Sequence, residues 1–238
     1  MSVYERKKGQ PLWENARLMI ADIPLDREKA GRLLPLGMRL GEKPCGTVFI
    51  ADYTKTSFTV PYREAALLIH VRTPFGKGVH CPWMVVDDDT ALAYGREMLG
   101  YPKKMAGFTF SEKGGRVHAT VTRRNIGILS FKLKLGPPQS SPGPVFDIKT
   151  FNAGGPGQFF YVNPIWLFRA RERIRESYEA RPSLAVTPSA YDPLAGLVSG
   201  EPFNARFVVM DILGGGYFLP VGMAGPLWLG RVHAMRFE

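Results

Sequence analysis

Apolar positions in this chain recur mainly with a period of two, so the pattern predicts strands more than helices. Residues 116–122 show it best, where Val117, Ala119 and Val121 alternate with charged or polar neighbours. The same reading predicts strands over 16–23, 46–53, 63–72, 79–86, 108–111, 126–135 and 207–213. Residues 65–69 are apolar throughout, which predicts burial on both faces. Two helices interrupt the strands. Asp26 is placed to cap a short one ending at Leu33-Leu34-Pro35, and Asp87-Asp88-Asp89 offer a cap and favourable charge to one over 90–99. Gly100 suits the left-handed position that closes this helix. Pro102 disfavours helix at Tyr101, so Lys103 is predicted to begin an extended segment.

The connections carry their own signals. Glu112-Lys113-Gly114-Gly115 reads as a hairpin turn, and 137–144 and 153–157 as loops. Gly214-Gly215-Gly216 follows a strand as a phosphate loop would, but Tyr217-Phe218-Leu219-Pro220 behind it opens no normal helix, so it is read as a turn. Arg169, Arg171, Arg173 and Arg175 recur every second residue, and a strand would present all four on one face. There is no internal repeat. The expected architecture is a predominantly antiparallel α+β fold in a single domain, 1–238.

Composition narrows this only slightly. A chain of 238 residues with 45% apolar content can bury a proper core, and 26 glycines with 20 prolines favour short strands and turns over a helical bundle. No apolar run approaches the roughly 20 residues of a membrane span, and residues 1–8 carry charges with no apolar segment behind them. A soluble, cytoplasmic protein without membrane partners is expected. Cys45 and Cys81 have no metal-ligand spacing and are too few for a disulfide framework, so they read as reduced packing residues. His70, His80, His118 and His233 are scattered, so no metal is expected. No Gly-x-Ser-x-Gly elbow is present. The net charge of +10 admits a rival class, a non-catalytic module binding anions or nucleic acid. The basic residues are spread along the chain without a recognisable motif, however, so no nucleic-acid partner is expected.

The chemistry concentrates in Gly100-Tyr101-Pro102-Lys103-Lys104. A lysine attacks a carbonyl only as the neutral amine, which requires a desolvating apolar pocket or a second cation nearby. Two adjacent lysines after a proline and a helix end are a setting for that. The stretch Gly95-Arg96-Glu97-Met98-Leu99 running into this segment resembles the acetoacetate decarboxylase family, with its Gly-Arg-Glu helix and Tyr-Pro-Lys-Lys turn. Tyr62-Arg63-Glu64 is similar to the family's tyrosine and active-site glutamate. Asp192-Pro193-Leu194 and Asp211 resemble its late Pro-Leu segment and following aspartate. The similarity spans roughly residues 14 to 213, and the last 25 or so residues do not follow it.

The resemblance implies a closed, cone-like sheet with helices outside, a homo-oligomer, a small keto-acid substrate and no cofactor. It implies that Lys103 forms a Schiff base and that Glu64 positions substrate or moves protons. Desolvation is expected to be the main lever on Lys103, with Lys104 secondary, because in an extended segment the two side chains leave on opposite faces. Tyr62 and Arg17 are candidate substrate-binding residues. Arg17 stands one position out of register with the family's early arginine, which in a strand means the opposite face unless a bulge intervenes. Arg63 is its substitute. Phe58, Trp83, Met98, Met105 and Met210 are candidates to line the pocket. Positive potential would draw anionic keto acids to it. Decarboxylation of acetoacetate or a related β-keto acid is the expected reaction. The alternative within the superfamily is aldol addition and dehydration, or cyclisation, of pyruvate-type α-keto acids, which uses the same imine.

Overall fold

The computed structural model describes residues 10–159 and 162–238; residues 1–8, read above for export, lie outside that range. In chain order the elements are β1 (Trp13–Pro24), α1 (Arg27–Arg32), β2 (Arg39–Leu40), β3 (Cys45–Tyr53), β4 (Lys55–Thr56), β5 (Tyr62–Thr73), β6 (Gly76–Val86) and α2 (Asp89–Leu99). There follow β7 (Lys103–Met105), β8 (Gly107–Lys113), β9 (Arg116–Arg123), β10 (Ile126–Pro138), β11 (Thr150–Ala153) and β12 (Asn163–Val186). After a 3-10 turn at Pro193–Gly196 come β13 (Phe203–Ala224), α3 (Pro226–Arg231) and α4 (His233–Phe237).

The described strands join one mixed, mostly antiparallel sheet that curves into a ring. Its order runs β11-β6-β5-β3-β1-β13-β12, and β11 closes it by pairing with β6 on one side and β12 on the other. The far half of β12 leaves the ring to pair with β10, from which β9 and β8 continue as a meander. Parallel contacts occur where β11 and β7 each meet β6.

Strand alternation divides the apolar residues between two cores. Ala16, Leu18 and Ile20 of β1, Phe49 and Ala51 of β3, Ala66 and Leu68 of β5, and Val208 and Met210 of β13 belong to one, inside the ring. Their neighbours Met19, Ile50, Leu67 and Phe207 belong to the other, packed against α1, α3, α4 and the β9–β10 meander. Residues 65–69 are buried on both faces because each side of β5 meets one of these cores.

Three differences from the pattern reading have physical causes. The triglycine segment is no turn: β13 continues through it, with Gly214 and Gly215 paired to Arg171 and Ala170 of β12. Register shifts flank these pairs, and Gly214 holds a φ of 112° that other residues rarely adopt. The four-residue strand β11 shows too few positions for periodicity to be visible, yet it closes the ring. The C-terminal helices α3 and α4, also unanticipated, are short and take their stability from burying Trp228 and Met235 in the outer core. The alternate arginines do lie on a strand, β12, and all four are exposed.

Candidate active site

Local backbone chemistry delivers Lys103 to the ring interior. Asp88 caps α2 by accepting from the Ala91 N–H at 2.7 Å, and Gly100 ends it with φ 68°. The Tyr101 N–H then returns to Gly95 O at 3.0 Å, and the chain leaves as β7, parallel to β6, with Lys103 opposite Met84. Arg96 holds this placement, its Nη1 donating to the carbonyls of Lys103 at 2.9 Å and Arg236 at 3.2 Å. Gly95 makes room: a Cβ there would lie 2.4 Å from Lys103 Cε and 2.6 Å from Cδ. The Gly95-Arg96 dipeptide thus shapes the channel for the lysine and anchors its backbone.

Lys103 Nζ lies 2.6 Å from Glu64 Oε2, with both side chains buried. Glu64 is on the inner face of β5 with Tyr62, Ala66 and Leu68, where strand alternation from the inner core places it. Three tyrosines surround the pair. Tyr53 donates to Glu64 Oε1 at 3.3 Å, the ring of Tyr62 lies 5.6 Å from Lys103 Nζ, and the Tyr62 hydroxyl accepts from Trp13 Nε1 at 2.9 Å. Tyr101 completes the group on the approach to Lys103. Burial, and then the charge of Glu64, pushes the hydroxyl pKa values of Tyr53 and Tyr62 up. Burial does the same to Tyr101, with Cys81 and Glu64 adding to it. All three therefore stay protonated donors at neutral pH. The surrounding cavity has a volume of about 410 Å³ and is walled mainly by apolar and aromatic side chains. Among the described residues, Lys103 and Glu64 are the only charged side chains that line it.

Lys104 is in a different environment. It leaves β7 on the opposite face and meets Asp192 at 3.0 Å, while Arg123 reaches the other carboxylate oxygen at 2.9 Å. Trp83 Nε1 donates to Asp192 Oδ1 at 2.9 Å, and Asp192 is 1% exposed. Burial pushes the Lys104 pKa down; Asp192 opposes that and Arg123 adds to it. Lys104 therefore belongs to a buried charge network in the outer core. Of the other candidates, Arg17 does not face the cavity. It lies outward and pairs with Glu112 at 2.5 Å, because the irregularity in β1 comes between Trp13 and Ala16, ahead of it. Arg63 also leaves the opposite face of β5 from Glu64, toward Asp52 at 3.2 Å and Asp87 at 3.5 Å. Phe58 and Met98 line the cavity, whereas Trp83 and Met210 are core and Met105 is exposed on the surface. Asp211 is buried among Arg173, Arg175 and the Asn15 N–H, away from Lys103. Among the described residues no group of three or more metal-ligating side chains occurs, and both cysteines are free.

Residues 2–223 match the family model for acetoacetate decarboxylase, nearly the whole chain. The chain belongs to the acetoacetate decarboxylase family. The match runs past the triglycine segment, ten residues beyond the extent read from sequence. An acetoacetate decarboxylase of Acidiphilium cryptum (strain JF-5) is 31% identical over 99 residues, which are 42% of this chain and 40% of that protein. Aligned residues thus span well under two thirds of that relative. The fold is shared with the crystal structure of acetoacetate decarboxylase from Legionella pneumophila subsp. pneumophila str. Philadelphia 1. There the TM-score is 0.74 at 17% identity, over 91% of this chain and 87% of the other. It is also shared with the enduracididine biosynthesis enzyme MppR complexed with pyruvate, at TM-score 0.70 and 13% identity over 89% and 91% of the two chains. Tyr53, Gly95, Arg96 and the Asp192 network were not singled out as site elements by sequence reasoning. Gly95 and Arg96 stood within the matching motif; Tyr53 carried no signal, since its role depends on the pairing of β3 with β5.

Proposed function

We propose that this family member decarboxylates β-keto acids through a Schiff base on Lys103, without a cofactor. The observation that carries the reading is a buried lysine 2.6 Å from a buried glutamate in a cavity that is otherwise apolar. Moving the proton from Lys103 Nζ to Glu64 Oε2 across that distance yields the neutral amine that attack on a carbonyl requires and leaves Glu64 as the acid beside it. The amine attacks the ketone carbon, and the carbonyl oxygen leaves as water after gaining two protons, giving a protonated imine. The bond to the carboxylate then breaks, its electron pair passing through the α-carbon to the iminium nitrogen, so that carbon dioxide departs and a neutral enamine remains. Protonation of the α-carbon and hydrolysis of the imine release the methyl ketone and free Lys103. Glu64, hydrogen-bonded by Tyr53, stands where it can carry these protons.

The same lining favours decarboxylation over aldol chemistry on α-keto acids. In the aldol route the substrate carboxylate stays attached through turnover and needs a cationic partner. Among the described residues no arginine or second lysine lines the cavity. In decarboxylation the carboxylate is lost as a neutral molecule, which an apolar wall and a nearby Glu64 promote.

The test is intact-mass analysis after borohydride treatment with acetoacetate and, separately, pyruvate, together with an assay of released carbon dioxide. The expected result is a reduced adduct mapped to Lys103 from acetoacetate, with carbon dioxide released in untreated turnover. An adduct from pyruvate alone would assign the aldol reading, and none from either would remove the imine altogether.

A further inference from the structure

We infer that the natural substrate carries an apolar tail of several carbons on the far side of its ketone, so that the reaction turns a medium-chain 3-oxo acid into a methyl ketone and carbon dioxide. This rests on the decarboxylase reading above and extends it to substrate class. The first observation is size. Acetoacetate has seven non-hydrogen atoms, and even at the roughly 30 Å³ that a water molecule occupies in the liquid it would fill only about half of the 410 Å³ cavity.

The second observation is where the unused space lies and what walls it. Leu68 is on the same inner face of β5 as Glu64, four residues further on, which at strand rise places it about 13 Å away. Phe49 lies beside this path on β3, whose residues Ala51 and Phe49 pair with Glu64 and Ala66. Phe146 meets the Phe49 ring edge-on at 5.3 Å, and Ile148 follows it; these two with Phe49 and Leu68 form a floor. The same four side chains border a second, polar cavity that also contains Asp22, His70 and Arg206. Above the floor, Met84 and Phe168 continue the apolar wall, and Gly214 and Gly216 of β13 leave it open by contributing no side chain.

An alkyl group against Phe49, Leu68, Met84, Phe146, Ile148 and Phe168 gives up its water to apolar walls, whereas a charged one would lose water without gaining a partner on them. At the same roughly 30 Å³ per non-hydrogen atom, the 410 Å³ cavity holds about 14 such atoms, and after the six of the 3-oxo acid head this leaves room for a tail of roughly six to eight carbons. The chemistry is unchanged from acetoacetate, since the tail is attached to the ketone carbon opposite the carboxymethyl group. Atoms balance as one 3-oxo acid anion and one proton giving one methyl ketone and one carbon dioxide. A reaction class that supplies such an acid is hydrolysis of a 3-oxoacyl thioester.

The experiment is steady-state decarboxylation of 3-oxo acids with tails from methyl to nonyl. The expected result is a rise in kcat/KM of about fourfold per methylene, up to six to eight carbons, and a fall beyond. In Ile148→Trp, which raises the floor, the optimum is expected to move to shorter tails. A slope that is flat or falls from methyl onward would overturn the tail inference and leave the decarboxylase reading intact. If no 3-oxo acid is decarboxylated, that reading fails, and the cleft is judged separately by calorimetric binding of methyl ketones from acetone to 2-undecanone. Affinity that grows with chain length would support the apolar cleft, and affinity independent of length would overturn it.

Discussion

Lys103 and Lys104 are neighbours in sequence and both are buried, yet each meets a different acid in a different core. Lys103 enters the ring and meets Glu64 beside a cavity; Lys104 leaves it and meets Asp192, which Arg123 and Trp83 also hold. The difference teaches how one dipeptide supplies two kinds of charge. The Lys103 pair lines an open, mainly apolar cavity. The Asp192 cluster has every oxygen engaged by a fixed donor, which suits anchoring β6, β7, β9 and the segment before Pro193–Gly196 together.

The comparison breaks first at Lys103→Ala. Loss of the amine is expected to lower kcat by about 10⁴-fold or more and to abolish the borohydride adduct, while the midpoint of denaturant unfolding moves far less than for the next variant. Equal destabilisation by the two would mean that the Lys103 pair is structural too. Asp192→Ala is expected to cost about 3–5 kcal/mol, because it removes the buried carboxylate that Lys104, Arg123 and the Trp83 N–H share; chemical denaturation followed by tryptophan fluorescence reads it. Borohydride trapping on the folded fraction should still mark Lys103.

A finer test is Gly95→Ala. Alanine is the better helix former by roughly 1 kcal/mol, but its Cβ would occupy the space of the Lys103 side chain. The expected outcome is little or no loss of stability with a kcat lower by about 100-fold. Unchanged kcat would show that Lys103 reaches its carbonyl from another rotamer.

The smallest expected effect concerns a second acid bound by arginines, Asp211. Burial acts to raise its carboxyl pKa, but hydrogen bonds from Arg175, the Asn15 N–H and Arg173 outweigh that and hold it down at about 2. The unfolded value is near 3.9, so the stabilisation is complete above that pH and is lost as pH falls through about 2. Because both arginines are well exposed, solvent screening keeps the contribution on the order of 1 kcal/mol. Unfolding midpoints of the wild type and Asp211→Asn between pH 5 and 2 should converge at the acid end, and parallel curves would remove this assignment.

Much of this was legible in the sequence because it depends on local rules. The caps at Asp26 and Asp88, the left-handed Gly100 and the strand start at Lys103 follow from residue chemistry within a turn of chain. The misplacement of Arg17 was legible too, since one residue of register reverses the face. Other features left no local trace. The triglycine segment reads as a turn because glycine favours one, and only the ladder from β12 keeps it extended. Tyr53 looked like any strand-end tyrosine until β3 paired with β5.

The sequence by itself determined the strand periods, the helix ends and the divergence of Lys103 from Lys104, because these follow from backbone stereochemistry over a few residues. Only the tertiary structure decided which acid each lysine meets, how large the cavity is and that arginine is missing from its described lining. Those depend on contacts such as Lys104 with Asp192, 88 residues apart, which no backbone rule acting over a few residues can specify.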